Sequence, residues 1–208
     1  FFNTLAAIYI IIMIKDFKKI RLFSFIASIV LIFLISNFDN SAKNRIVDET
    51  ISQMGLNSEK KYIFSVVHES HYRSAFKMFL DNKILGIGVR NFRNFCNDDK
   101  YKINDRSCTT HPHNTYVQLL SETGLVGFIF GISIFIFFIV ISLKHLLGVI
   151  TKNKYLFNDF EICLLSAILI SLWPLVPTGN FLNNWVAIVY YFPVGFLLWS
   201  LNTRNSNK

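Results

Sequence analysis

An all-α, polytopic membrane helix bundle with a mainly helical outer loop is the fold this sequence predicts, and three observations predict it. Of 208 residues, 52% are hydrophobic and 16% aromatic, while only 16% are charged, against about 25% charged in an ordinary soluble domain. The apolar residues fall in long runs rather than amphipathic periods, which is how membrane spans read. Two of the short connections between those runs are basic, as connections on the cytoplasmic side of membrane proteins are. The net charge of +8 therefore points to basic helix ends and not to nucleic acid, because the Lys and Arg residues form no single patch among stacking aromatics.

Five apolar segments follow in order. The first, Phe1 to Ile14, stops at Lys15, short of the roughly 20 residues a span needs. The chain opens Phe1-Phe2-Asn3, without the basic start of a signal peptide. The expectation is a C-terminal piece of a larger membrane protein, inactive by itself. The second segment runs from about Ile20 to Ser36, the third from near Pro112 to near Leu143, the fourth from Phe160 to Val176 and the fifth from Trp185 to Leu201. Lys15, Lys18, Lys19 and Arg21, then Lys144, Lys152 and Lys154, then Arg204 and Lys208 fall on one side if the spans alternate, and that side is cytoplasmic by the positive-inside rule. The expected division is two transmembrane segments in 1–36 with the first truncated, an outer loop in 37–111, three transmembrane segments in 112–201 and a cytoplasmic tail in 202–208.

The outer loop carries twelve Lys/Arg and nine Asp/Glu, which is no obstacle, since long loops cross a membrane regardless of charge. Loops of this length are more often functional than spacers. From Ser65 to Asn82, Val66, Val67, Tyr72, Ala75, Phe76, Phe79 and Leu80 recur near helical period. This predicts an amphipathic helix suited to the outer membrane surface. Cys96 and Cys108 both lie in the loop. In an oxidising compartment they can pair, worth roughly 3 kcal/mol in loop entropy, but the sequence leaves the pairing open.

The stretch richest in chemistry is His111-Pro112-His113-Asn114, where the polar loop meets the third segment. Ionisable groups at such a border usually serve a purpose. Pro112 suits a first helical turn, and the helix end behind it offers free N–H groups and a positive dipole to an anion. Asn114, Gln118 and Glu122 are spaced by four and form one polar stripe, read as lining a cavity or gluing helices together. Gly124, Gly127 and Gly131 permit close approach of a neighbour. His111 and His113 are candidate proton acceptors, because a neutral imidazole titrates near pH 6.5; the plain alternative is a structural cap. Arg73, Arg45, Arg90, Arg93 and Arg106 are the loop guanidiniums, a group suited to bidentate phosphate binding. Of these Arg73 sits on the amphipathic helix, near the Gly86-Ile87-Gly88 turn. His68 and His71 with His111 and His113 are numerous enough for a metal, but no metal-binding signature is present, and none is expected.

Taken in order, Arg73-Ser-Ala-Phe-Lys-Met-Phe-Leu-Asp-Asn-Lys-Ile-Leu-Gly86-Ile-Gly88, His111-Pro-His-Asn114-Thr-Tyr and Glu122-Thr-Gly124-Leu-Val-Gly127 resemble the O-antigen ligase and O-antigen polymerase superfamily over roughly Ile35 to Leu143. The resemblance implies a multi-pass bacterial inner-membrane protein with a large periplasmic loop. It implies metal-independent, cofactor-free glycosyl transfer from an undecaprenyl-diphosphate-linked glycan to a sugar hydroxyl, with lipid A core as acceptor in a ligase and another lipid-linked glycan in a polymerase. On that basis His113, assisted by His111, is the expected base, Arg73 and Arg45 the diphosphate contacts, Asn114, Gln118 and Glu122 the supporting stripe, and Gly86, Gly88, Gly124 and Gly127 the backbone and packing positions. Membrane lipids are further partners. A competing class is a transporter or flippase using Glu122 and the histidines as a proton relay, although paired broken helices and inverted repeats are missing from the sequence.

Overall fold

The computed structural model describes residues 2–14, 16–38, 40–44, 48–53, 64–152 and 154–206. Among these, every regular element is a helix: α1 (Phe2–Met13), α2 (Lys18–Phe38), α3 (Asn40–Lys43), α4 (Glu49–Gln53), α5 (Val66–Asp81), α6 (Phe92–Phe95), α7 (Thr115–Lys152), α8 (Asp159–Leu172) and α9 (Asn184–Ser206). The all-α expectation holds. Two stretches, Thr115–Thr151 in α7 and Asn184–Arg204 in α9, are long and apolar enough to cross a membrane. At 14 residues, α8 is roughly 21 Å long, less than the hydrocarbon core of a bilayer.

α8 packs on α9, α1 and α7, burying Met13, Ile14, Phe138, Ile162, Leu165, Ile168 and Leu197 together. One end of this bundle is pinned by polar groups. Asn158 and Glu161 form a reciprocal capping box at the start of α8. The same buried Glu161 carboxylate accepts from Arg204 at 2.9 Å and from Ser200 at 3.1 Å.

The sequence reads residues 112–143 as one straight segment, and here the structure differs. Gly124 breaks α7, with φ 65° and ψ −158°, values that only glycine adopts readily. The short arm, 115–123, folds back along the long arm, 125–152. Positions paired about residue 125 meet across the break: Thr123 sits over Gly127, Leu119 over Gly131, and the Tyr116 and Phe135 rings lie 6.2 Å apart. In a straight helix Tyr116 and Phe135 would be separated by roughly 28 Å. Gly127 and Gly131 thus do permit close approach, but of the helix's own first arm.

A helix break leaves orphan backbone groups, and the 83–88 turn satisfies them. Ile87 and Gly88 donate to the Ser121 and Glu122 carbonyls at 2.9 and 3.0 Å, while Leu125 and Val126 donate to the Lys83 and Ile84 carbonyls at 2.8 and 3.4 Å. This crossing is tight enough that a Cβ on Gly86 would meet the Glu122 backbone and one on Gly124 the Ile84 backbone.

The loop helix α5 starts at its Ser65 N-cap, whose hydroxyl accepts from the His68 N–H, and ends at Asn82. It packs on α7. Its buried face is Ser70, His71, Ser74, Ala75 and Met78, while Phe76 and Leu80 from the predicted apolar set are half exposed. Ala75 and Met78 join Phe92, Cys96 and Tyr101 in a second core. Cys96 and Cys108 are disulfide-bonded, with Cα atoms 4.9 Å apart.

Candidate active site

The start of α7 sets the geometry. Asn114, not Pro112, is the N-cap: its Oδ1 accepts from the Tyr116 and Val117 N–H groups at 3.0 and 3.1 Å. Two of the N–H groups that the sequence offered to an anion are therefore used internally. The Asn114 amide also donates to the Pro174 carbonyl at 2.7 Å, and Tyr116 donates to the Leu172 carbonyl at 2.6 Å. The helix start is thereby tied to the segment that follows α8.

Gln118 and Glu122 continue the stripe, and both are buried. The Gln118 amide donates to Asn180 Oδ1 at 2.7 Å and to Glu122 Oε2 at 3.0 Å, and Gln118 Oε1 accepts from the Phe181 N–H at 3.0 Å. Glu122 accepts further from the Arg90 and Phe92 N–H groups at 3.0 and 3.1 Å. Every acceptor here is occupied, so the stripe is a fastener joining α7 to the 88–92 turn and to 180–181. Arg90, in the left-handed region with φ 61°, adds a two-pronged donation to the Leu182 carbonyl at 2.9 and 3.2 Å.

The two histidines of His111-Pro112-His113 differ in freedom. His111 is buried, and both ring nitrogens have partners, Thr110 Oγ1 at 2.9 Å and the Thr178 carbonyl at 3.2 Å. His113 is partly exposed, and its ring has only a long contact, 3.5 Å, to Thr109 Oγ1. Its backbone is held at φ 57°, an unusual conformation for a residue with a Cβ, and its carbonyl accepts from the Thr178 N–H at 2.9 Å. Strained backbone of this kind tends to occur at functional sites.

Two more imidazoles, from the first turns of α5, complete the site. The His113 ring centroid lies 4.2 Å from that of His111, 5.5 Å from His71 and 5.6 Å from His68. Sequence reasoning weighed His68 and His71 only as metal ligands; their spacing of three, on one helix face, was the available signal. Among the described residues, no three His, Cys, Asp or Glu side chains are arranged to hold a metal ion. Burial, reinforced by neighbouring imidazoles, pushes His68 and His111 below the usual histidine range and His71 down to about 4. Burial also lowers His113. All four rings are therefore neutral at pH 7.

Arg73 does not join the histidines. Its side chain is 66% exposed and ion-paired to Glu69 at 3.3 Å. It lines a groove of about 530 Å³ with Tyr72, Phe76, Lys77, Ile103, Val117 and Leu120. Tyr72 connects groove and cluster, its ring stacked on His68 with centroids 6.2 Å apart. Lys77 was not singled out from the sequence. Arg45 lies outside the described residues. Gly86 and Gly124 form the backbone crossing, Gly88 takes φ 97°, and Gly127 receives Thr123.

No curated protein matches the chain. Residues 2–132 match the family described as O-Antigen ligase. That match covers more than half of the sequence and takes in α5, the His111-Pro112-His113 corner and the Gly124 break, so the chain belongs to the O-antigen ligase family.

Proposed function

We propose that this protein is a multi-pass bacterial inner-membrane glycosyltransferase whose site faces the periplasm. It moves a glycan from undecaprenyl diphosphate to a sugar hydroxyl, with lipid A core as the acceptor. The observation that carries the reading is His113: a neutral, partly exposed and loosely held imidazole in a family of glycan-transfer enzymes. Such a group takes the proton of an acceptor hydroxyl as the oxygen attacks the anomeric carbon. The diphosphate leaves from the opposite face, which inverts the anomeric centre. Negative charge then grows on the leaving group, and cations stabilise it electrostatically.

Arg73 and Lys77, beside the apolar Phe76, Ile103, Val117 and Leu120, suit a lipid diphosphate: cations for the phosphates, apolar groove for the first prenyl units. Tyr72 and His68 lead from that groove to His113. His111, with both nitrogens occupied, orients its neighbour and exchanges no proton. Glu122, whose carboxylate is filled by three donors, argues against the proton-relay transporter.

The test uses the parent gene, deleted in its Gram-negative host and restored as wild type or as His113→Ala. Lipopolysaccharide and undecaprenyl-linked glycans are resolved on gels. Ligase action predicts that long lipid-linked polymer accumulates over a bare core in the deletion and in His113→Ala, with transfer slowed about 10²–10⁴-fold in the variant. Loss of the polymer itself, with single-repeat species remaining, would make the protein a polymerase. Normal turnover by His113→Ala would remove the base from the mechanism.

A further inference from the structure

A base that accepts a proton becomes an imidazolium, and the surroundings of His113 raise the question of what receives its second N–H. A carboxylate is the usual partner. Here the candidates are committed elsewhere: Glu69 is paired with Arg73, and Glu122 already accepts from three donors. The rings around His113 are His68 and His71 from α5 and His111 beside it; of the nearby guanidiniums, Arg93 acts on His111, and the Arg106 backbone bonds His71. Thr115 and Thr178 bring no charge. Arginine carries no acceptor, both His111 nitrogens are occupied, and His68 Nδ1 is bonded to Ser65 Oγ.

His71 is the exception. Its side chain is only 4% exposed. The Arg106 backbone hydrogen-bonds the ring, which fixes one nitrogen as the donor. The other, Nδ1, is buried and has no partner. A buried acceptor without a donor is costly, and such groups in native proteins call for an explanation. The His71 and His113 centroids are 5.5 Å apart. An N–H···N bond between two imidazoles places their centroids roughly 5 Å apart, so the two rings are near enough to bond once they turn their nitrogens toward one another.

We propose that His71 is the positioning partner of His113, a neutral imidazole standing where other enzymes use a carboxylate, its Nδ1 lone pair receiving the N–H of the His113 imidazolium. The inference rests on the proposed role of His113 as base. In the step, the acceptor O–H bond breaks and its proton goes to His113 as the C–O bond forms. The anomeric C–O bond to the diphosphate breaks with its electron pair on the leaving group. The His113 imidazolium is held by donation to His71 until it releases the proton to water.

The signature is in the pH profile. An acceptor for the imidazolium N–H raises the basicity of His113. Removing it lowers that basicity, so the acid limb of kcat moves to lower pH while the plateau falls. In the full-length enzyme, His71→Phe keeps the ring volume without an acceptor, and His71→Asn places an amide oxygen near the Nδ1 position. The expected result is a 10–100-fold lower plateau with a displaced acid limb for His71→Phe, KM little changed, and near wild-type limb and plateau for His71→Asn. If His71→Phe does not accumulate in the membrane, His71→Leu supplies the same comparison. Equal losses in both kinds of variant with an unmoved limb would make His71 a packing residue and overturn the proposal, as would an unchanged profile in His71→Phe. Full activity of His113→Ala is a separate outcome that removes the base itself.

Discussion

At the scale of single residues, the border between the polar loop and α7 holds one group with spare capacity and one without. His113 is loosely held, with its backbone forced to φ 57°. Glu122, eleven residues on from His111, has its carboxylate filled by the Arg90 and Phe92 N–H groups and the Gln118 amide. Its i, i+4 relation to Gln118 was legible, because helical spacing is local. Its function was not, because its donors come from backbone some thirty residues upstream. Glu122→Ala should leave the buried Phe92 N–H and one buried Gln118 N–H unpaired, together with the part-buried Arg90 N–H, at about 1–3 kcal/mol for each buried donor. The expected outcome is a loss on the order of 3–5 kcal/mol, seen as a fall in the unfolding temperature of the detergent-solubilised protein. A shift of one or two degrees would show that the fastener is dispensable.

At the scale of elements, the break in α7 decides where the site sits. Had α7 been straight, Asn114 and its histidines would stand at the far tip of a rod roughly 57 Å long. The Gly124 turn folds them back beside Phe135 and the carbonyls of Leu172 and Pro174. Gly124→Ala should therefore be severe, since a Cβ there meets the Ile84 carbonyl as well as suffering a positive φ. The matched control is Gly195→Ala in α9, where an added Cβ meets nothing within 4 Å and helix propensity favours alanine by up to about 1 kcal/mol. Expression and monodispersity in detergent should collapse for the first and hold or improve for the second. Equal behaviour would mean the hairpin tip tolerates strain. The span Ser65 to Asn82 was read to within a residue of α5, because a cap and an amphipathic period are local signals. The face it buries was not, since Ser70, His71 and Ser74 become internal only when α7 covers them.

For the whole molecule, four neutral imidazoles join α5 to the 107–114 segment and, through Thr178, to the chain beyond α8. Burial lowers the affinity of each for a proton, most of all His71, down to about 4. In the unfolded chain each titrates near 6.5. The folded state thus binds fewer protons, and stability is full above about pH 6.5 and declines as pH falls toward 4. Chemical denaturation at stepped pH should show this decline, with part of it absent in His71→Asn; a flat profile would mean that the rings are not buried together. The sequence by itself determined the helical class, the positions of the apolar segments, the loop helix and the family motifs, because these depend on composition, on residues within a turn or two of one another, and on their order. Only the tertiary structure decided that α7 doubles back at Gly124, that His68 and His71 rather than Arg73 surround His113, and that the polar stripe is a closed network. Those outcomes depend on contacts between residues 30 to 67 positions apart, and no periodicity in the chain encodes which distant backbone group will meet which side chain.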